Sequence, residues 1–226
     1  MVGRLSRLLV VSPHCDDAVF ACGQLLDSHP GSIVVTVCAG RPPAHVSLTE
    51  WDRAAGFVSG DDVMGIRRSE DRAALTVLAA HPVWLDFCDS QYRQSPSIEA
   101  VMEALHEAVC AFRVRTIVLP LGLFHSDHLL THQATLLLRR RHGHCSWYLY
   151  ADALYRRLPG LTERRLDECA ATGLRLQPVT FPADVLSPRK RAAVQCYRSQ
   201  LRALSTPGRP GYADAVSQEM FWRIAS

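Results

Sequence analysis

No apolar run among the 226 residues is long enough to cross a bilayer. Arg4 and Arg7 are followed by only a short apolar stretch, Leu8–Val11, with no small-residue cleavage site after it. Neither a membrane span nor a secretory leader is therefore expected, and a cytoplasmic location is. The eight cysteines (15, 22, 38, 88, 110, 145, 169 and 196) are scattered singly, without a CxxC pair, which reads as buried free thiols rather than a disulfide framework. Net charge is only +3, and the basic runs are as short as Arg139–Arg141 and Arg164–Arg165, so nucleic acid is not an expected partner. There is no internal repeat and no low-complexity tract. No glycine lies between Ser12 and Gly23, where a dinucleotide-binding turn would need one to approach a pyrophosphate.

What is present is an ordinary globular composition, 48% hydrophobic and 21% charged, sufficient for one sizeable core and a single expected domain over residues 1–226. The chain is organised around Leu8–Gly23, LLVVSPHCDDAVFACG. The apolar run Arg7–Val11 reads as a buried strand that stops at Ser12-Pro13. This places His14, Asp16 and Asp17 at its carboxyl end, just before a helical pattern over Ala18–Asp27. Taken alone, the stretch is equally compatible with a capping Asp beside a loop His and with a metal site.

Further strands are expected at Ser32–Ala39, Val83–Phe87, Thr116–Leu121 and Ser146–Tyr150, and further helices at Ile66–Ala80, Ser97–Phe112 with Ser97 as N-cap, about 129–141, and Ser187–Leu204. Gly40–Gly65 reads as a long loop beginning at the same sheet edge as His14, and Asp152–Val185 has little pattern. Alternation of strands and helices implies a Rossmann-like, three-layer α/β sandwich with a mainly parallel sheet. In the common order 3-2-1-4-5 the first and fourth strands are neighbours, with the ligand crevice between their carboxyl ends. The second polar cluster, His125-Ser126-Asp127-His128, follows the fourth strand, so that order brings it beside the first.

His14, Asp17 and His128 together offer two imidazole nitrogens and one carboxylate oxygen, the three-ligand set of a catalytic zinc that keeps one position open. With Asp17 ligating, Asp16 is free to act as general base, and His125 can donate to a developing oxyanion. Asp127 either orients an imidazole or caps the following helix. Cys15, whose side chain should point away from that of His14, is not expected to ligate, and His132 is assigned to a supporting position or to the helix surface. His29, His45, His81, His106, His142 and His144 lie outside both clusters and receive no role.

At these residues the chain resembles the PIG-L/LmbE-like zinc-dependent deacetylases, hydrolases that remove N-acetyl groups from sugar-containing substrates. Pro13-His14-Cys15-Asp16-Asp17 with Gly23 matches the family's PHPDDE motif and following glycines, and His125-Ser126-Asp127-His128 matches its HxDH motif. Weaker likeness runs through Trp51-Asp52-Arg53, Gly56-Phe57, Arg67–Ala74, Asp89–Arg93, Tyr150–Tyr155, Lys190 and Tyr197–Gln200. Cys15, Ala18 and Gln24 depart from the motif, where the family has Pro, Glu and a second Gly. The resemblance implies His14, Asp17 and His128 as metal ligands, Asp16 as base and His125 as electrostatic partner.

Together these readings give a zinc-dependent amide hydrolase, with another divalent ion left open, acting on an N-acylated sugar, glycoconjugate or natural-product intermediate. Arg67, Asp89, Tyr92, Arg93 and Trp51 are the candidates for holding the small-molecule substrate, Trp51 and Tyr92 being equally suited to packing. Oligomeric state stays open. The alternatives are a catalytically silent relative acting as a partner protein and, ranked below it, a nucleotide-binding module.

Overall fold

A computed structural model describes residues 5, 7–43, 46–181, 187–209 and 211–225; His45 and positions 182–185 of the poorly patterned segment fall outside them. Its strands are β1 (Leu8–Ser12), β2 (Ile33–Thr36), β3 (His81–Trp84), β4 (Thr116–Pro120), β5 (Ser146–Tyr150), β6 (Leu176–Val179) and β7 (Phe221–Ile224). The helices are α1 (Asp17–Ser28), α2 (Glu50–Ala55), α3 (Val63–Val77), α4 (Ile98–Ala111), α5 (Ser126–Arg139), α6 (Leu161–Ala171), α7 (Pro188–Val194) and α8 (Arg198–Leu204). The seven strands form one sheet in the order β3-β2-β1-β4-β5-β7-β6. From β3 to β5 every pairing is parallel, while β7 pairs antiparallel with both β5 and β6. The expected 3-2-1-4-5 core is therefore present, extended by antiparallel β7 and then by β6 at the edge.

Alternation along β1 explains why both faces are covered. Leu8 and Val10 enter one apolar layer with residues of α1, α3, α7 and α8. Leu9 and Val11 enter the opposite layer with α4, α5 and α6. A strand buried on both faces needs the near-continuous apolar run that LLVV supplies.

Several boundaries differ from the sequence expectation. α3 starts earlier, at Val63, because the Asp62 side chain accepts from the Gly65 N–H and caps it. The long loop holds α2, started by a capping box between Thr49 and Asp52. The single helix expected over Ser187–Leu204 is two helices, α7 and α8, separated at 195–197. The break lets the fully buried Tyr197 reach Asp71 with its hydroxyl, at 2.7 Å. Glu70 then accepts from the N–H and hydroxyl of Ser199, at 2.9 and 2.6 Å, serving the first turn of α8 from another helix.

α1 is also broken, at Cys22 (φ −132°, ψ 16°). The groups freed there are recaptured by a buried ion pair: Glu219 accepts from the N–H of Gln24 and Leu25 at 2.7 and 3.1 Å, and Lys190 Nζ donates to the Phe20 carbonyl at 3.1 Å. Gly23 is required for this, since a Cβ at that position would lie 2.8 Å from Lys190 Cγ.

Candidate metal centre

The two polar clusters meet at the switch point between β1 and β4. Asp16 occupies the N-cap position of α1 but makes no capping bond with its side chain, which leaves the carboxylate to the cavity it lines. Asp17, the first residue of α1, sits where the helix dipole favours negative charge. Its Oδ2 accepts the His14 N–H at 2.9 Å, lies 3.2 Å from His14 Nδ1, and lies 3.1 Å from His128 Nε2. His14, Asp17 and His128 thus present three ligand atoms within 4.8 Å of one another.

The remaining nitrogen of each imidazole is held by a buried carboxylate. His14 Nε2 is 3.0 Å from Asp127 Oδ2, which also accepts the Ser90 N–H at 3.0 Å. His128 Nδ1 is 2.6 Å from Asp152 Oδ1. Asp152 is fixed in turn, because its Oδ2 accepts from Gly122 and Leu123 N–H at 2.9 and 3.1 Å. Gly122 adopts φ +81°, and a Cβ there would stand 3.0 Å from that of His132, so the turn leaving β4 needs glycine. When the imidazoles are neutral, protons held on the far nitrogens would leave the lone pairs of His14 Nδ1 and His128 Nε2 available to a metal beside Asp17. This N₂O set, with its orienting carboxylates, suits a borderline divalent metal such as zinc.

The electrostatics follow from burial and from crowding of opposite charges. Burial opposes ionisation of Asp17, but the imidazoles of His128 and His14 hold its carboxyl well below the usual range. Burial likewise opposes charge on His128, which Asp17 and Asp152 nevertheless raise to about 9. His14 is also raised well above the ordinary histidine value, by Asp89, Asp127 and Asp17 acting against burial. Asp16, with no cation directly paired to it, is pushed up to about 7 by burial and then by the neighbouring Asp17.

His125 is the N-cap of α5: its Nδ1 accepts the Asp127 N–H at 3.2 Å. That assignment excludes Asp127 as the cap and leaves Asp127 orienting His14. It also fixes the tautomer of neutral His125, whose proton must be on Nε2. Burial and the like charges of His14 and His128 lower its pKa, keeping it a neutral donor.

Trp51, Arg67 and Asp89 line the same cavity, of about 620 Å³, with the metal-site residues. Tyr92 and Arg93 do not. Tyr92 is buried with its hydroxyl 3.2 Å from both Asp52 oxygens, and Asp52 pairs with Arg67 at 2.9 Å; Tyr92 therefore buttresses Arg67 from behind. Arg93 is exposed in a left-handed turn, φ 57°. His132 is in the core, not on the helix surface: it is buried, with Nδ1 2.9 Å from the Pro120 carbonyl, and burial lowers its pKa to about 4. Ala18 is buried, its N–H donating to Ser12 Oγ at 3.0 Å, and it does not line the cavity.

Sequence reasoning passed over Asp152, Tyr155 and the far wall. Tyr155 stands edge-on to His128 with ring centres 5.2 Å apart, and Phe124 stacks on it at 5.2 Å. An Asp two residues past β5, the strand beside β4, was the available signal for Asp152.

An α/β sheet carrying a His₂Asp cluster at its switch point, with His128 buried and His14 and Asp17 half-buried, offers a candidate metal site at the mouth of a cavity. The chain belongs to the PIG-L family, described as GlcNAc-PI de-N-acetylases, whose profile matches residues 9–138, more than half of the sequence. A 2'-N-acetylparomamine deacetylase of Streptomyces fradiae is 31% identical over 153 residues, covering 58% of this chain and 51% of that protein. The chain thus spans about half the length of that curated relative. Among solved structures, the A40926 pseudoaglycone deacetylase superposes with a TM-score of 0.77 at 25% identity, over 97% of this chain and 96% of that one. The zinc-inhibited form of the teicoplanin deacetylase shares the fold, with a TM-score of 0.79 at 23% identity over 97% and 98% of the two chains.

Proposed function

We propose that the protein is a zinc-dependent N-deacetylase acting on an N-acylated sugar, glycoconjugate or natural-product intermediate. The observation that carries this reading is the convergence of His14 Nδ1, Asp17 Oδ2 and His128 Nε2, each histidine backed by a carboxylate, beside an Asp16 that has no structural bond to make. The three ligands would hold zinc, which supplies Lewis-acid activation of water and of the acyl carbonyl. Asp16 takes the proton of the attacking water on its carboxylate and returns it to the leaving amine nitrogen, restoring its own charge. The Nε2–H of His125 donates to the carbonyl oxygen as negative charge develops there. Asp127 and Asp152 keep the two ligand imidazoles in the required tautomer and orientation.

The cavity is larger than an acetamide needs. Trp51, Met64, Phe124, Leu154 and Leu158 give it apolar walls, and Arg67 and Asp89 supply polar points. This fits a glycoconjugate or natural-product scaffold around the scissile amide, in line with the N-acetylparomamine and A40926 pseudoaglycone deacetylases that the chain resembles.

The test is acetate release from a panel of N-acetylated aminoglycoside and glycopeptide intermediates, run with elemental analysis of each protein. Asp16→Asn should retain zinc and lose about 10²–10⁴ in kcat, the range of general acid–base catalysis. His128→Ala should lose the metal. Undiminished turnover by Asp16→Asn would overturn the assigned base, and a wild-type protein that binds no zinc after mild purification would instead support a silent relative.

A further inference from the structure

At the opposite end of the sheet lies a second cluster that the site above does not use. His106 and Cys110 are four residues apart on the last turns of α4, hence on one face of the helix. His142 and His144 occupy the link between α5 and β5. These residues gather at the amino ends of β4 and β5, whereas the His₂Asp centre follows the carboxyl ends of β1 and β4.

His106 Nδ1 and His142 Nε2 are 2.8 Å apart, and Cys110 Sγ is 3.9 and 3.8 Å from the two nitrogens of His106. The ligand atoms of His106, Cys110 and His142 all fall within 4.8 Å of one another. A tetrahedral centre with nitrogen and thiolate ligands has edges of about 3.4 Å between nitrogens and about 3.6 Å between nitrogen and sulfur. The His106–His142 pair would open and the Cys110–His106 pair would close to reach those edges. His142 is anchored for this: its carbonyl accepts from Trp147 Nε1 at 3.2 Å and from the Cys145 N–H at 3.0 Å. Cys110 is exposed, and it borders, with His142 and His144, a cavity of about 340 Å³.

We infer that His106, Cys110 and His142 form a second, structural transition-metal site, with His144 or a water as fourth ligand. The His144 ring centre is 5.7 Å from that of His142. Two imidazoles and a thiolate make a borderline-to-soft set that favours zinc over magnesium or calcium. No carboxylate belongs to it, and Arg7, Arg113 and Arg115 border the cavity, so the Cys110 thiolate is the one anionic ligand the cluster offers. Ligation releases the Cys110 thiol proton to solvent and closes α4 onto the end of α5.

Cobalt titration of the metal-stripped full chain tests this without reference to the deacetylase reading, because the first centre has no sulfur ligand. Wild type should develop a near-ultraviolet thiolate-to-cobalt charge-transfer band that saturates at a second equivalent or earlier. Cys110→Ser, conservative at an exposed position, should lose the band, drop one equivalent of bound zinc and keep its basal activity and circular dichroism. His106→Gln should weaken the band at least tenfold and serves as the arbiter should Cys110→Ser misfold. A wild-type protein with no such band, or a band that survives removal of Cys110 or is unmoved by His106→Gln, overturns the inference.

Discussion

The division of labour between neighbouring carboxylates rests on what each oxygen already touches. Asp17 is surrounded by two imidazoles and one backbone N–H, Asp127 and Asp152 each hold the outer nitrogen of one histidine, and the Asp16 side chain makes no hydrogen bond among the described residues. Asp152→Asn isolates the effect of one such support. An amide has the same shape, but its NH₂ must replace either Oδ1, losing the bond from His128, or Oδ2, losing those from both Gly122 and Leu123. Metal affinity should fall by roughly 10- to 100-fold, as expected when the partner of a ligating histidine is changed. Competition with a chromophoric chelator measures it, and unchanged affinity would remove Asp152 from the site. His14, Asp16, Asp17, His125 and His128 were legible because catalytic residue types crowd into two short motifs at strand ends. Asp152 was not, because it is one carboxylate in an unpatterned stretch whose partner is 24 residues away.

At the scale of elements, strands and helices with their own sequence signals were readable, and those held by tertiary bonds were not. β5 matches its expected limits, and Ser97 caps α4 by accepting from the Ala100 N–H, as its sequence position implies. β6 and β7 are short and lie at the sheet's outer side, with no parallel crossover to announce them. The α7–α8 break is fixed by residues of α3, which no local window contains. Asp71 of α3 is the centre of that junction, accepting from Trp84 Nε1 of β3 and from the Tyr197 hydroxyl, both at 2.7 Å. Burial raises its carboxyl from 3.8 to about 6 despite the two donors. The folded state therefore binds the proton more tightly than the unfolded chain, and this group's contribution to stability is fully present below pH 3.8 and lost as pH rises through about 6. Relative to Asp71→Asn, which does not titrate, wild type should lose about 2–3 kcal/mol between those limits. Denaturant unfolding of both proteins at several pH values reads the difference, and parallel pH profiles would show that Asp71 does not titrate in the folded protein across that range.

For the molecule as a whole, the overall topology was readable because both faces of a parallel sheet demand apolar strands and intervening helices, and the switch point then brings distant motifs together. The lock between α1, α7 and the approach to β7 was not readable, since it depends on a kink in α1 that creates the need for it. Lys190 and Glu219 are joined at 2.7 Å with side chains 0% and 4% exposed. Each also satisfies backbone groups of α1 that the Cys22 kink leaves without helical partners. Replacing Glu219 with Ala strands a buried ammonium and two N–H groups together, and should cost about 3–5 kcal/mol. Because α1 carries Asp17 at its first position, loosening its second half should also weaken metal binding in the folded fraction. The double variant Lys190→Met/Glu219→Leu removes the buried charge and should recover part of the stability, but not the bonds to the α1 backbone. Chemical denaturation of the single and double variants separates the two contributions: a single variant within 1 kcal/mol of wild type, roughly the worth of one ordinary hydrogen bond, would show that the kink in α1 stands without its ion pair.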